Sequence, residues 1–376
     1  MKFLHTADLH IGKKLHGYDL ITDQRVILQQ ILQIAKEQQV DALVIAGDLY
    51  DRSVPAVEAV SVLDDFLKEV NLTEQFPILA ISGNHDSAQR LATGTPWYQM
   101  TQFHLHTTMA SVFEPVVIGD TQFFLLPYFE PIEARLYFED DSLTTIQEAM
   151  EQVIAKCLTL FDPTKKHVLV THFFIAGSLR TESETPVEVG GLNSVPIELL
   201  KDFDYVALGH LHSKTAIKEG PVRYSGSPLK FSLSEVNDDK GVWIIDSQTM
   251  VPEFHPLTPL REVRQLEASF AELTDPDFYQ TIHREDFWQF LLTDRAIIPN
   301  MMNQLRAIYP HLLSIERING REAQVLKTFK KRTEHPQTVI ANFFEEITGD
   351  ALTPQQVNWL ETGLALANDT EKRDAE

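Results

Sequence analysis

The chain has 376 residues, a hydrophobic content of 43% and a charged content of 23%, which is typical of a globular protein and excludes a disordered one. No run approaches about 18 consecutive apolar residues, so we expect no membrane-spanning helix. Residues 1–8 also lack the apolar stretch of a signal peptide. The single cysteine, Cys157, excludes an intramolecular disulfide and fits a reducing compartment. We therefore expect a cytoplasmic protein without membrane contact, with Cys157 as a small buried side chain.

The formal net charge of −22 argues by itself against binding to nucleic acid. Non-specific DNA binding depends on lysines and arginines that displace counterions from phosphates. A chain this acidic repels a polyanion unless bound cations or a partner protein reverse the charge locally.

Residues 1 to about 250 alternate short apolar runs with amphipathic patterns, which predicts an α/β domain whose core sheet is covered by helices. The predicted strands cover residues 2–6, 42–46, 78–81, 116–126, 167–171, 205–208 and 242–246. The predicted helices cover residues 22–39, 57–70, 144–161 and 196–201.

Three prolines within residues 252–259 predict a boundary, so we assign residues 1–255 to the first domain. Beyond it, predicted strands at 262–266, 287–293 and 312–317 and a helix at 299–308 define a small α/β module at residues 260–320. Residues 321–337 resemble a charged linker. Residues 338–366 predict two short amphipathic helices joined by a loop, which either fold back on the protein or dock on a partner.

Five of the predicted strands are followed by side chains that commonly bind metals. In chain order these residues are Asp8 and His10, Asp48 and Asp51, Asn84 and His85, His172, and His210 and His212. Taken singly, each cluster has an ordinary explanation as a turn or a structural histidine. Five such clusters at five strand ends instead predict one site, because open α/β sheets bind ligands beyond the carboxyl ends of their strands.

The types of donor indicate the chemistry of this site. Four histidines, two aspartates and one asparagine are too many ligands for one ion, and oxygen with imidazole suits Mn²⁺, Fe²⁺ or Zn²⁺. The absence of thiolate argues against a structural zinc site. Two ions about 3.5–4 Å apart share an anionic ligand, and Asp48 is the natural choice. Such a pair holds both the attacking and the leaving oxygen of a phosphoryl transfer.

The motifs together resemble the calcineurin-like metallophosphoesterase superfamily over residues 1 to about 230. They are Asp-x-His at 8–10, Gly-Asp-x-x-Asp at 47–51, Gly-Asn-His-Asp at 83–86, a single histidine at 172 and Gly-His-x-His at 209–212. The longer sequences at 5–12, 83–87, 208–212 and 224–228 are similar to those of the DNA repair exonuclease branch. The resemblance implies a sandwich of two mixed β-sheets flanked by helices, with residues 260–320 as a capping domain.

The resemblance also implies a role for each site residue. One ion would be held by Asp8, His10, Asp48 and His212. The second would be held by Asp48, Asn84, His172 and His210. The preference of the family suggests Mn²⁺. His85 would donate a proton to the leaving 3′ oxygen, and Asp51 would orient His85.

The function implied is that of a two-metal DNA nuclease subunit acting in DNA repair, recombination and replication. Its expected activities are duplex exonuclease and single-strand or hairpin endonuclease. The branch works with a coiled-coil ATPase, on which residues 338–366 would dock, and forms a nuclease homodimer within a heterotetramer. Two alternatives stay open at this point: a phosphomonoesterase or cyclic-nucleotide phosphodiesterase of the same superfamily, and a non-catalytic scaffold that has lost its metal.

Overall fold

The computed structural model describes residues 1–178, 181–182, 184, 194–217, 220–318, 336–348 and 351–373. The chain divides into two compact units, Met1–Gly320 and Arg321–Glu376. Among the described residues, no helix is both long enough and apolar enough to span a bilayer.

The first unit contains sixteen described strands and nine described α-helices. The strands are β1 (Lys2–Thr6), β2 (Lys14–Leu15), β3 (Tyr18–Asp19), β4 (Ala42–Ala46), β5 (Ile78–Ile81), β6 (Phe103–His106), β7 (Val116–Ile118), β8 (Thr121–Leu126), β9 (Lys166–Thr171), β10 (Tyr205–Leu208), β11 (Val222–Tyr224), β12 (Gly241–Asp246), β13 (Pro252–Pro256), β14 (Val263–Ala268), β15 (Phe287–Leu292) and β16 (Leu312–Arg317). The helices are α1 (Ile21–Glu37), α2 (Val57–Lys68), α3 (Ala88–Leu91), α4 (Thr95–Tyr98), α5 (Pro131–Phe138), α6 (Ile146–Thr159), α7 (Phe270–Thr274), α8 (Pro276–Tyr279) and α9 (Met301–Ile308).

Two mixed sheets form the centre of this unit. The first has the strand order β13-β12-β1-β4-β5-β6, in which β1, β4, β5 and β6 run parallel. The second has the order β11-β10-β9-β8-β7, in which β8 to β11 run parallel. The predicted sandwich of two mixed sheets is therefore confirmed.

Successive side chains of a strand point to opposite faces of its sheet, so each central strand contacts helices on one face and the other sheet on the other face. On β4, Leu43 and Ile45 face a core shared with α1 and α2, whereas Val44 and Ala46 face the second sheet. On β9, Leu169 packs toward α6. Because both faces of each sheet are covered, these strands are continuous apolar runs rather than alternating ones.

Three predicted elements differ from the structure. The helix predicted at 196–201 is a four-residue 3₁₀ helix, Ile197–Leu200. The single strand predicted at 116–126 is a hairpin, in which β7 and β8 pair in antiparallel fashion on either side of Gly119 and Asp120. The proline-rich stretch predicted as a boundary begins with β13, which pairs with β12 at the edge of the first sheet. Proline is tolerated there because an edge strand leaves one row of backbone groups without a ladder partner.

The module at 260–320 is a three-stranded parallel sheet in the order β14-β15-β16, packed on α7 and α9. Several contacts join it to the larger sandwich within the first unit, among them an ion pair of Lys230 with Glu262 at 2.9 Å. Arg261 forms an ion pair with buried Asp23, and the Tyr18 hydroxyl donates to the carbonyl of Leu312.

The second unit contains α10 (Pro336–Thr348) and α11 (Pro354–Arg373), which match the two predicted tail helices. The backbone N–H of Gln356 donates to the Thr353 hydroxyl in the predicted N-terminal cap of α11. Residues 321–335 of the predicted linker at 321–337 lie outside the described residues, and the last two belong to α10.

Candidate metal centre

The carboxyl ends of β1, β4 and β5 in the first sheet meet those of β9 and β10 in the second. A hydrogen bond crosses between the sheets: His172 Nδ1 donates to the carbonyl of Ala46 at 2.8 Å. The backbone N–H of Gly209 donates to the carbonyl of Thr171 at 3.1 Å, which joins the ends of β9 and β10. All five predicted clusters of donors therefore lie at one edge of the sandwich.

Backbone conformation at this edge is unusual. Four of the predicted ligands have positive φ, namely Asp8 (53°), His10 (42°), Asp48 (51°) and His210 (93°). Non-glycine residues in this region cost free energy, and they persist where the surrounding structure enforces them, commonly at functional sites. The close packing also explains Gly83, because a Cβ at this position would collide with Asp48.

The first group of donors consists of Asp8, His10 and His212, whose ligand atoms lie within 4.8 Å of one another. Nε2 of His10 lies 3.1 Å from Nε2 of His212. Both rings are buried. Two imidazole nitrogens that face each other at this distance either share a proton or bind a cation together.

The second group contains Asp48, Asn84, His172 and His210. Oδ1 of Asn84 lies 3.1 Å from His172 Nε2 and 3.0 Å from His210 Nδ1. Nδ1 of His172 is occupied by the carbonyl of Ala46, so Nε2 is the nitrogen presented to this group.

Asp48 lies between the two groups. Its Oδ2 is 3.4 Å from His10 Nε2 and 3.3 Å from His172 Nε2. No other carboxylate of the described residues contacts histidines from both groups at such short distances. The structure thus brings all seven predicted ligands together, with Asp48 in the central position.

Electrostatics at the site depend strongly on burial. Burial raises the pKa of Asp8 well above its usual value. Burial acts in the same direction on Asp48, but His172 and His10 outweigh it and hold the pKa of Asp48 well below its usual value. Burial would lower the pKa of His172, yet Asp48 raises this pKa to about 9. In the absence of a cation, protons on Asp8 and His172 thus offset the buried negative charge, and a divalent cation would replace them.

The donors fit divalent cations of the transition series. Carboxylate, amide and imidazole groups together suit such ions, and no thiolate is close, since Cys157 is buried in the α6 layer. Burial lowers the pKa of His10 and of His212, so both rings are neutral, which is the form that binds metals.

His85 and Asp51 are in contact. Nδ1 of His85 donates to the backbone carbonyl of Asp51 at 2.9 Å. The Asp51 carboxylate forms an ion pair with Lys13 at 2.9 Å and lies 3.7 Å from Nδ1 of His10. A carboxylate oxygen of Asp51 and ring nitrogens of His10 and His85 also lie within 4.8 Å of one another, so the orientation of His85 by Asp51 stays a prediction.

Asp86 stabilises the loops around the site. Its carboxylate accepts backbone hydrogen bonds from Leu49, Tyr50 and Gly83, at 3.1, 3.0 and 2.9 Å. The loop that carries Asp48 is thus tied to the loop that carries Asn84 and His85. Burial raises the pKa of Asp86 to about 7.

Three charged residues near His212 were missed by the sequence analysis. Glu184 accepts a hydrogen bond of 2.6 Å from the backbone N–H of His212. Glu235 and Lys240 form a buried ion pair of 2.6 Å beside the same histidine. Burial would raise the pKa of Glu235, but Lys240 and then His212 hold it well below its usual value. No strand end precedes these residues, so the signal that identified the ligands was absent.

Comparisons with known proteins identify the family of the chain. Residues 1–214 match the family model described as calcineurin-like phosphoesterase, and residues 258–348 match the model described as Type 5 capsule protein repressor C-terminal domain. The solved structure of TT1561 of Thermus thermophilus covers 68% of this chain and 98% of its own at 13% identity. Its TM-score of 0.40 is too low to support a comparison of sites.

Two relatives are named as the SbcD subunit of the nuclease SbcCD. The one from Staphylococcus epidermidis is 34% identical over 374 residues, which cover 99% of this chain and 100% of that protein. The one from Staphylococcus saprophyticus is 33% identical over 365 residues, covering 96% and 97%. The chain therefore belongs to the calcineurin-like phosphoesterases and, among these, to the family of SbcD subunits of the nuclease SbcCD. The predicted resemblance is confirmed.

Proposed function

We propose that the chain is a two-metal DNA nuclease subunit that acts with an SbcC-type ATPase. The observation that carries this proposal is the position of Asp48, whose carboxylate lies between His10 at 3.4 Å and His172 at 3.3 Å. A carboxylate placed between two groups of neutral or paired imidazoles is suited to bridge two cations. The relatives named as subunits of the nuclease SbcCD support DNA as the substrate.

The proposed ion sites follow the two groups of donors. Asp8, His10 and His212 would hold one divalent cation and Asn84, His172 and His210 the other, with Asp48 shared. The mixed oxygen and imidazole donors suit Mn²⁺, Fe²⁺ or Zn²⁺, and Mn²⁺ is the proposed metal because the family to which the chain belongs prefers it. When bound, such a pair of cations polarises a phosphate diester and lowers the pKa of water.

The proton for the leaving oxygen would come from His85. Its Nδ1 is committed to the carbonyl of Asp51, so Nε2 is the nitrogen that exchanges a proton with substrate. The backbone N–H of His85 donates to Asp48 Oδ1 at 2.9 Å, which holds the loop next to the metal ligands. Asp51 is proposed to position His85 through its carbonyl and Lys13 through its carboxylate.

The assembly with partners is proposed from two exposed apolar surfaces. A groove of about 710 Å³ is lined by α2, α3 and α4 and reaches Leu49 and Tyr50 of the site loop. Trp97 is 70% exposed at its rim. We propose that a second copy of the chain covers this groove and forms the nuclease homodimer.

The second surface belongs to α10 and α11, where Phe343 and Trp359 are exposed by 50% and 63%. We propose that these helices, within the region 338–366, dock on the coiled coil of the ATPase in a cytoplasmic heterotetramer. Residues 260–320 would act as the capping domain beside the site.

The test is a cleavage assay with Mn²⁺ on blunt and hairpin-ended duplex DNA, with and without the ATPase and ATP. A chromogenic phosphodiester, a phosphomonoester and a cyclic nucleotide serve as competing substrates. We expect cleavage of DNA that the ATPase and ATP stimulate. Turnover of only the phosphomonoester or the cyclic nucleotide would contradict the nuclease proposal and favour the alternative enzymes of the superfamily.

A further inference from the structure

His212 contacts different groups through its two ring nitrogens. Nε2 faces His10 Nε2 at 3.1 Å, on the side of the metal centre. Nδ1 lies 3.9 Å from Oε1 of Glu235, on the opposite side of the ring. The imidazole is therefore placed between the centre and a carboxylate.

Glu235 is fully buried and is held by several groups. Its Oε1 accepts hydrogen bonds from the Ser232 hydroxyl at 2.9 Å and from the backbone N–H of Phe231 at 3.3 Å. Its Oε2 pairs with Lys240 Nζ at 2.6 Å. The orientation of the carboxylate is thus fixed independently of His212.

Lys240 connects the carboxylate to the backbone of the ligand. Its ammonium group donates to the carbonyl of His212 at 2.8 Å and to the Ser227 hydroxyl at 3.0 Å, and it is 8% exposed. The same lysine therefore compensates the charge of Glu235 and fixes the main chain of His212.

A buried ion pair is a poor means of stabilising a fold, because the cost of desolvating both charges offsets most of their attraction. A carboxylate that accepts from the second nitrogen of a metal-binding histidine has a different effect: it fixes the tautomer and the ring orientation and makes the ligand more basic. In His172, by comparison, the corresponding Nδ1 donates to the carbonyl of Ala46.

We propose that Glu235 is a positioning residue for His212. Glu235 orients the ring of His212 so that Nε2 faces His10 and Asp8, with which it would share a cation, and Lys240 holds the Glu235 carboxylate in place. This inference rests on the proposed two-metal function and concerns only one of the two cations.

The test measures binding of Mn²⁺ to the purified full chain by the electron paramagnetic resonance signal of free Mn²⁺, without any assay of activity. We expect the wild-type chain to bind two ions. In the nearly isosteric variant Glu235→Gln, one ion should bind about 10–100-fold more weakly and the other unchanged, the range found when a partner of a ligating histidine is removed.

Asp286→Asn is the matched control, because Asp286 is also buried beside a cation and a histidine, Arg264 and His283, but in the small module. It should leave both affinities unchanged. Ser232→Ala removes one hydrogen bond to Oε1 without changing charge and should weaken the same ion by about two- to tenfold. This milder variant keeps the test decisive if Glu235→Gln does not fold.

The outcomes separate this inference from the function on which it rests. If the wild-type chain binds fewer than two ions, both the proposed function and the inference fail. If the wild type binds two ions and the folded Glu235 and Ser232 variants bind both as tightly, the inference alone fails. An equal loss of both ions in Glu235→Gln would also overturn it, because that pattern indicates a general structural role.

Discussion

The backbone N–H of His85 donates a 2.9 Å hydrogen bond to Oδ1 of Asp48. The other oxygen of Asp48, Oδ2, faces His10 and His172. One buried carboxylate thus holds both the proposed metal ligands and the loop that carries the proposed proton donor. Asp48 therefore links the binding of cations to the position of His85. Variants of neighbouring residues should change the rate of cleavage without changing the number of bound ions, or the reverse.

Substitution His85→Ala should abolish DNA cleavage without loss of metal. We expect kcat to fall by about 10²–10⁴-fold, the usual contribution of a general acid. Metal analysis should still find two ions per chain, because the contact of residue 85 with Asp48 uses the backbone.

A comparison of leaving groups makes the His85 prediction more specific. A nitrophenolate leaving group needs little protonation, so His85→Ala should impair cleavage of a nitrophenyl phosphodiester much less than cleavage of DNA. Loss of metal in this variant would instead make His85 a ligand and would contradict its role as acid.

Substitution Asp51→Ala should keep both metals and slow the reaction moderately. The carbonyl that accepts from His85 is retained in alanine, whereas the contacts of the carboxylate, among them those with Lys13, His10 and Arg52, are lost. We expect activity to fall by about 10–100-fold, the range for groups that contact a metal-binding histidine. Steady-state kinetics at saturating Mn²⁺ would measure this, and a loss as large as that of His85→Ala would refute the assignment of the orienting role to the backbone.

Substitution Gly83→Ala should weaken metal binding and lower the melting temperature. The added Cβ would collide with Asp48, both at its side chain and at its backbone nitrogen. Overpacking of this kind costs about 1–3 kcal/mol. The matched control is Gly363→Ala in α11, where a Cβ would meet no atom within 4 Å. Calorimetry should show a lower melting temperature and weaker Mn²⁺ binding only for Gly83→Ala.

Cys157 should be inert toward thiol reagents in the folded protein. It lies on α6 and is fully buried in the core beneath the second sheet, and burial raises the pKa of its thiol to about 12. Reactive cysteines are exposed and have lowered pKa values, so labelling at about pH 8 should be slow until denaturant unfolds the chain. Rapid stoichiometric labelling under native conditions would contradict the described core.

Much of the fold could be predicted because the central strands are short apolar runs, most of which are followed at once by glycine or polar residues. The predicted bounds of β1, β4, β5 and β10 are those of the structure. The strand β6 was missed because it has only four residues, of which two are apolar, so its alternation is too short to stand out in the sequence. Likewise, β11 spans only three residues and pairs with β10 through tertiary context.

The clustering of the seven proposed ligands could be predicted because parallel strands bring their carboxyl ends to one edge, which turns separate motifs into one site. The contacts of the groups that surround these residues could not be predicted from the sequence. The hydrogen bond of His85 to the carbonyl of Asp51 and the ion pair of the Asp51 carboxylate with Lys13 depend on how the loops pack, which the motifs do not encode. Glu235 reaches His212 from a distant loop, so neither periodicity nor spacing indicates the contact.

The most direct test of the two-metal centre is the number of Mn²⁺ ions bound by the wild-type chain and by Asp48→Asn. Asparagine keeps an acceptor for the N–H of His85 but loses the charge needed to bridge two cations. Asp41→Asn is the matched control, since Asp41 accepts from the N–H of Lys2 at the other end of the first sheet. We expect two ions in the wild type and in Asp41→Asn, and no tightly bound ion in Asp48→Asn. Two ions bound with unchanged affinity in Asp48→Asn would contradict the central role of this carboxylate.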